Sequence, residues 1–83
     1  MRDTYYSQDE RRADIVSAAV QIANRHGFGK INPKNVAKAC TLSTTKRVIS
    51  HYFNMVNLRK IVAVDERLTT EAKDEAKRLG LVK

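Results

Sequence analysis

The sequence predicts an all-α fold, a small bundle of four to five helices that contains a helix-turn-helix. Apolar residues recur every three or four positions along most of the chain, which places them on one face of successive helices. Residues that start or end helices, such as Asn32–Pro33 and Gly27, separate these segments. No stretch shows the alternating pattern of a strand, and 83 residues make a single domain, 1–83.

The first helix is predicted over residues 8–26. Ser7 and Glu10 have the spacing of a capping box, in which each side chain accepts a hydrogen bond from a free backbone N–H at the helix start. The apolar arc of this helix consists of Ile15, Val16, Ala19, Ile22 and Ala23. Gly27 is expected to end it, because glycine adopts the left-handed conformation that is common at that position.

The second helix is predicted over residues 33–40. Asn32 is a favourable N-cap, and Pro33 fits the first helical position, where its missing N–H costs nothing. A turn follows, and Ser43 or Thr44 is expected to cap the third helix. Two short helices joined by a tight turn are typical of a helix-turn-helix.

The third helix has two faces. With Thr45 as the reference on a helical wheel, the apolar arc holds Val48, Ile49, Tyr52 and Phe53. The opposite arc holds Lys46, Arg47, Ser50, His51 and Asn54. An ordinary solvated face is one interpretation of the second arc. Such faces usually mix both signs of charge, however, and this one contains no acid, which favours a nucleic-acid partner.

Residues 55–80 are predicted to form a fourth helix and a tail. Asn57 is a candidate cap of the fourth helix. The tail either continues that helix or starts a fifth one, capped by Thr69 or Thr70 and ended by Gly80. This segment is the part of the chain that remains for a dimer contact.

The distribution of charge separates the middle of the chain from its ends. The formal net charge is +7, yet residues 15–64 contain no acid at all. Their basic residues are Arg25, Lys30, Lys34, Lys38, Lys46, Arg47, Arg59 and Lys60. Unopposed positive charge of this kind indicates a polyanionic partner.

The sequence lacks the residues that several classes of function require. No acid in the middle of the chain can orient His26 or His51 for catalysis, and no phosphate-binding glycine loop occurs, so we expect no enzyme activity and no cofactor. Cys40 is the single cysteine, which excludes an internal disulfide, and it has no histidine nearby in sequence, so we expect no metal site. No apolar run is long enough to span a bilayer, and we expect a cytoplasmic, nucleoid-associated protein with no membrane partner.

Four sequence segments also carry a family resemblance. They are "IVSAAVQIANRHGF", which ends in Gly-Phe, "INPKNVAKA", the turn "CTLS" and the tripeptide "HYF". In this order and spacing they resemble the DNA-binding domain of TetR-type repressors, over roughly residues 11–62. The resemblance implies that the third helix enters the major groove of DNA and that His51 and Tyr52 contact the DNA backbone.

This chain departs from the family pattern in three ways. The segment between Ser43 and "HYF" is about two residues longer than usual. The usual lysine at the start of the fourth helix is not evident, and Arg59 or Lys60 is expected to replace it in contacting phosphate. The chain stops where the family's ligand-binding and dimerising domain would begin, so we expect no small-molecule effector.

The residue types predict three groups of DNA contacts. Base contacts are assigned to the hydroxyl and cationic side chains Thr44, Thr45, Lys46, Arg47 and Ser50. Backbone contacts are assigned to Asn32, Lys34, Lys38, His51, Tyr52, Arg59 and Lys60. Residues 1–7 are expected to form a flexible arm, and the side chains of Arg2, Arg11 and Arg12 are expected to enter the minor groove.

The expected partner is double-stranded DNA, bound by residues 32–54. A single small module reads few base pairs, so we expect a homodimer, or copies that pair only on DNA. The function that fits best is a transcriptional repressor without a ligand sensor, of the type that phages or plasmids carry. Alternatives are a DNA packaging, excision or partition accessory protein, a basic module that binds an acidic protein or membrane surface, and an RNA-binding protein.

Overall fold

The computed structural model describes residues 7–42 and 44–82, which form five α-helices. The helices are α1 (Gln8–His26), α2 (Pro33–Ala39), α3 (Lys46–Tyr52), α4 (Met55–Ala63) and α5 (Thr70–Arg78). A single turn of 3₁₀-helix at Phe28–Lys30 joins α1 to α2. No strand occurs in the described residues, and the prediction of a small all-α bundle is confirmed.

The local signals at the starts of α1 and α2 act as predicted. The Glu10 N–H donates to Ser7 Oγ, and the Ser7 N–H donates to Glu10 Oε1, both at 3.0 Å. Asn32 Oδ1 accepts the N–H of Asn35 at 2.8 Å. These caps lie within three residues of the groups they satisfy, which is why the sequence reveals them.

The caps of α3 and α4 differ from those predicted. Thr45, not Thr44, caps α3, and its Oγ1 accepts the N–H of Val48 at 3.3 Å; the other predicted cap, Ser43, lies outside the described residues. Asn54 caps α4 by accepting the N–H of Asn57 at 2.8 Å. Each chain segment offers several capping side chains, and packing of the helix that follows decides which one has the extended backbone of a cap.

The tail forms a separate fifth helix. Thr69 Oγ1 accepts the N–H of Ala72 at 3.1 Å and starts α5, and Gly80 follows the helix with φ of +75°. Between α4 and α5, Asp65 Oδ1 accepts the N–H of Arg67 at 2.9 Å, which turns the chain instead of continuing the helix.

The turn between α4 and α5 is fixed to α1 by side chains. Asn24 donates from Nδ2 to the Arg67 carbonyl at 3.1 Å and accepts the Thr69 N–H at 2.9 Å. Arg67 also donates to Ser17 Oγ at 2.7 Å and forms an ion pair with Asp65. The hydrogen bond from the Arg67 side chain is the main reason that the pKa of Asp65 is lowered.

Helix α1 lies at the centre of the bundle. It packs against α2, α4 and, near its C-terminal end, α5. Of the predicted apolar arc all but Val16 are buried, and Ala18 and Val20 are buried as well, because α1 is covered on more than one side. The largest fully buried side chains are Phe28, Ile15, Ile31, Ile49, Leu58, Val36 and Val62, so α2, α3 and α4 each contribute to one core.

Gly27 connects the end of α1 to α5. Its φ is +94°, which side chains with a Cβ rarely adopt. A Cβ at this position would lie 3.3 Å from both carboxylate oxygens of Glu75, and Oε1 of Glu75 accepts the Phe28 N–H at 2.9 Å. Glycine is therefore required both by the backbone conformation and by the close approach of Glu75.

None of the helices within residues 7–42 and 44–82 is long and apolar enough to cross a membrane.

Candidate nucleic-acid interface

Helices α2 and α3 pack against each other and against the core in the order expected of a helix-turn-helix. Val36 of α2 and Ile49 of α3 are fully buried and hold the two helices on the bundle. The opposite face of α3 is exposed along its length, and its side chains are Lys46, Arg47, Ser50 and His51. The two faces that the helical wheel separates are thus separated in the structure.

Thr44, unlike these exposed residues, is buried and faces α1. Only 9% of it is exposed, and its Oγ1 accepts a hydrogen bond from Arg11 Nη1 at 3.4 Å. The base contact assigned to Thr44 therefore conflicts with its burial. Thr45 is exposed, but its oxygen caps α3. The reason for the difference is that the turn enters α3 with Thr44 directed at α1, a contact between residues 33 positions apart that local pattern does not reveal.

The turn between α2 and α3 is bound to α1 by one carboxylate. Asp14 accepts the Thr41 hydroxyl at 2.7 Å, the Thr41 N–H at 3.1 Å and the Leu42 N–H at 3.0 Å. Partial burial acts to raise the pKa of Asp14, but these hydrogen bonds and one from the Cys40 thiol together lower it. Asp14 is therefore ionised at neutral pH and fixes the turn that leads into α3.

Cys40 is half-buried beside this carboxylate. Burial, followed by the charge and the hydrogen-bond acceptor of Asp14, raises the pKa of the thiol to about 11. Such a thiol is protonated at neutral pH and is a weak nucleophile and metal ligand. Within residues 7–42 and 44–82, no three His, Cys, Asp or Glu side chains are grouped as a metal site would require.

Arg11 and Arg12 belong to helix α1 and not to a flexible arm. Arg11 donates to Thr44, and the Arg12 guanidinium carbon lies 5.7 Å from the centre of the Tyr52 ring. The helix starts at Gln8 and includes both, so neither is part of a flexible arm, and their contact with the minor groove stays a prediction. Arg2 and most of the predicted arm lie outside the described residues.

The predicted backbone contacts divide into exposed and engaged side chains. Lys34 and Lys38 of α2 and Lys60 of α4 are exposed. Arg59 is half-buried and donates from Nη2 to the Ile31 carbonyl at 3.0 Å. Asn32 uses its oxygen to cap α2. Arg59 and Asn32 thus have structural roles that explain their positions without DNA.

An open groove of about 640 Å³ separates the end of α3 from the start of α4. Its lining residues are Ser50, His51, Tyr52, Phe53, Asn54, Asn57, Lys60 and Ile61. Its lining contains no acid, and it unites Ser50, a predicted base contact, with His51 and Lys60, which are predicted backbone contacts. Asn54 belongs to the predicted donor arc of the third helix, whereas the sequence indicates only a capping role for Asn57.

Two acids of the C-terminal segment make contacts away from α3. Glu75 binds the Phe28 N–H, and Asp65 pairs with Arg67 at the turn before α5. By contrast, Asp14 contacts the turn before α3 through its hydrogen bonds to Thr41. The exposed face of α3 and the adjacent groove therefore retain the positive charge of the acid-free middle of the chain.

Comparison of this chain with protein-family models, with curated proteins and with solved structures found no match.

Proposed function

We propose that this chain binds double-stranded DNA in a sequence-specific manner and acts as a small transcriptional regulator, most simply a repressor that occludes a promoter. The observation that carries the proposal is the outer face of α3. Lys46, Arg47, Ser50 and His51 are all exposed there, while Ile49 on the inner face is fully buried. A helix anchored on one side and lined with donors on the other is suited to the major groove.

The exposed cations suggest a division of roles. Lys46 and Arg47 suit base edges, because either can donate to O6 and N7 of guanine. Lys34, Lys38 and Lys60 suit phosphates, which are bound by charge without regard to sequence. The resemblance of "HYF" and the preceding helices to TetR-type repressors supports the same arrangement.

The groove between α3 and α4 supports a second set of phosphate contacts. His51 and Lys60 face it together with the exposed amides Asn54 and Asn57. A DNA strand leaving the major groove beside α3 would meet these donors next. The protein would then contact the DNA backbone on both sides of α3.

The number of exposed cations sets the expected salt dependence. If about six of them neutralise phosphates, affinity should fall by roughly three decades between about 50 and 200 mM salt. A single module of this size buries only about 600–1,000 Å² on DNA, so two copies at neighbouring half-sites are needed for a unique site. We accordingly propose a regulator that pairs on DNA, located at the nucleoid.

The decisive experiment is selection of binding sites from random duplexes, followed by sequencing, at two salt concentrations. An enriched motif is expected, and Arg47→Ala should change its preferred bases. Lys34→Ala is the matched control, because it removes one exposed cation from α2 and should weaken all sequences equally. Absence of any enriched motif, or identical behaviour of the two variants, would contradict the proposal.

A further inference from the structure

Helix α4 exposes apolar side chains on the side away from the core. Val56, Ile61 and Val64 are 56%, 40% and 72% exposed. At about 100° per residue they share an arc of roughly 140° with Asn57 and Lys60. Val64, directly after the helix, is the most exposed of the three. Exposed aliphatic residues grouped in this way mark contact surfaces more often than isolated ones do.

A depression of about 280 Å³ adjoins Val64. Its lining residues are Ala63, Val64, Asp65, Glu66, Lys73, Lys77 and Val82, and we call this surface the Val64 patch. Its apolar lining residues are Ala63, Val64 and Val82. One wall, from the turn after α4, is acidic, and the other wall, from α5, is basic.

The charges of the Val64 patch are largely unpaired within the chain. Asp65 forms an ion pair with Arg67 at 2.9 Å. Glu66, Lys73 and Lys77 are exposed and form no ion pair with any other residue in the described parts of the chain. An acidic group and two basic groups thus flank one apolar depression without neutralising each other.

We propose that the Val64 patch binds the same patch of a second copy of this chain. In a two-fold symmetric contact, residue i of one copy meets residue j of the other and the reverse. Glu66 of each copy can then face Lys73 and Lys77 of the other, while Val64 enters the apolar depression opposite. A uniformly acidic or uniformly basic partner would match one wall of the patch and repel the other, so the charge pattern favours a self-complementary partner.

The size of the patch sets the strength of the contact. A stable dimer buries about 800 Å² on each partner, and a surface of seven residues provides less. The free protein should therefore pair weakly, and pairing should become strong when DNA holds two copies at neighbouring half-sites. This last step rests on the proposed DNA binding, whereas the contact itself does not.

Charge exchange tests the contact without DNA. The variants Glu66→Lys and Lys73→Glu/Lys77→Glu should each self-associate at least about tenfold more weakly than the wild type in sedimentation velocity. An equimolar mixture of the two should associate again, because every wall then faces its opposite. A mixture that remains as monomeric as its components would overturn the proposal.

An apolar substitution with a matched control gives an independent test. Val64→Asp should abolish self-association, and Leu79→Asp should not, since Leu79 is 55% exposed but lies outside the Val64 patch. Circular dichroism melting would show that both variants fold. On a duplex recovered by the selection that carries two half-sites, Val64→Asp should lose cooperativity yet bind a single half-site as the wild type does. Equal association of the wild type and Val64→Asp would contradict the assignment, whatever the result with DNA.

Discussion

The carboxylate of Asp14 binds both the hydroxyl and the N–H of Thr41, at 2.7 and 3.1 Å, and so joins α1 to the turn that leads into α3. The two residues are 27 positions apart in sequence. Asp14 is the last acid before the acid-free middle of the chain, and it satisfies donors of that middle. Its hydrogen bonds fix the turn that leads into α3.

Replacing Asp14 with asparagine should lower the free energy of unfolding by about 2 kcal/mol at pH 7, because an amide cannot accept all of these hydrogen bonds. The pKa of Asp14 is lowered in the folded chain. The stabilisation of the fold by Asp14 is therefore complete above about pH 4, which is the usual pKa of an aspartate in an unfolded chain. It is lost as pH falls through the lower pKa of the folded state. Urea unfolding of wild type and Asp14→Asn from pH 7 downward should show the two converging at acidic pH.

Asp74 offers the matched control for this measurement. It is an exposed acid of α5 with no hydrogen bond or ion pair to another described residue. Asp74→Asn should change stability by less than about 0.5 kcal/mol at any pH. A constant difference between wild type and Asp14→Asn from pH 7 to acid would show that the carboxylate charge is not what holds the turn.

Gly27→Ala should destabilise the protein by about 1–3 kcal/mol, since it forces φ of +94° on a residue with a Cβ and crowds Glu75. Gly29→Ala is the comparison, because a Cβ there has no atom within 4 Å. Thermal melts of the two variants should differ clearly. Equal melting temperatures would mean that α5 moves away from Gly27 at little cost.

Thr44→Val should leave the preferred DNA sequence unchanged and lower stability by about 1–2 kcal/mol, because it removes the buried acceptor of the Arg11 hydrogen bond. Arg47→Ala should do the reverse and alter the sequence preference with little effect on stability, since Arg47 is exposed. Site selection and melting curves on both variants would check this. A changed motif for Thr44→Val would return that residue to the base contacts.

Cys40 should react slowly with a disulfide reagent at pH 7, and the rate should rise with pH toward the thiol pKa of about 11. Burial and the Asp14 carboxylate both raise this pKa, so Asp14→Asn should lower it and speed the reaction at a given pH. Thiol titration from neutral to alkaline pH would measure both effects. Rapid reaction of the folded wild type at pH 7 would mean that the thiol is more exposed than the structure shows.

Local sequence signals predicted much of the fold because they act over three or four residues. The capping box of Ser7 and Glu10 and the glycine Gly27 gave the limits of α1 as observed. The helical period of the apolar residues alone placed Ile49 on the buried face of α3 and Lys46, Arg47, Ser50 and His51 on its exposed face. At α3 and α4 several cap residues compete, and the predicted cap was wrong by one position at Thr45 and by three at Asn54.

Contacts between distant parts of the chain were beyond such signals. The sequence by itself determined that the chain is helical, where α1 lies, and that its middle carries positive charge without acid. Tertiary structure alone decided that Thr44 faces Arg11, that Asp14 holds the turn, that α3 and α4 share a groove, and that the Val64 patch combines both signs of charge. The physical reason is that composition and helical period are properties of neighbouring residues, whereas each of these pairings depends on how helices and turns that are distant in sequence pack in space.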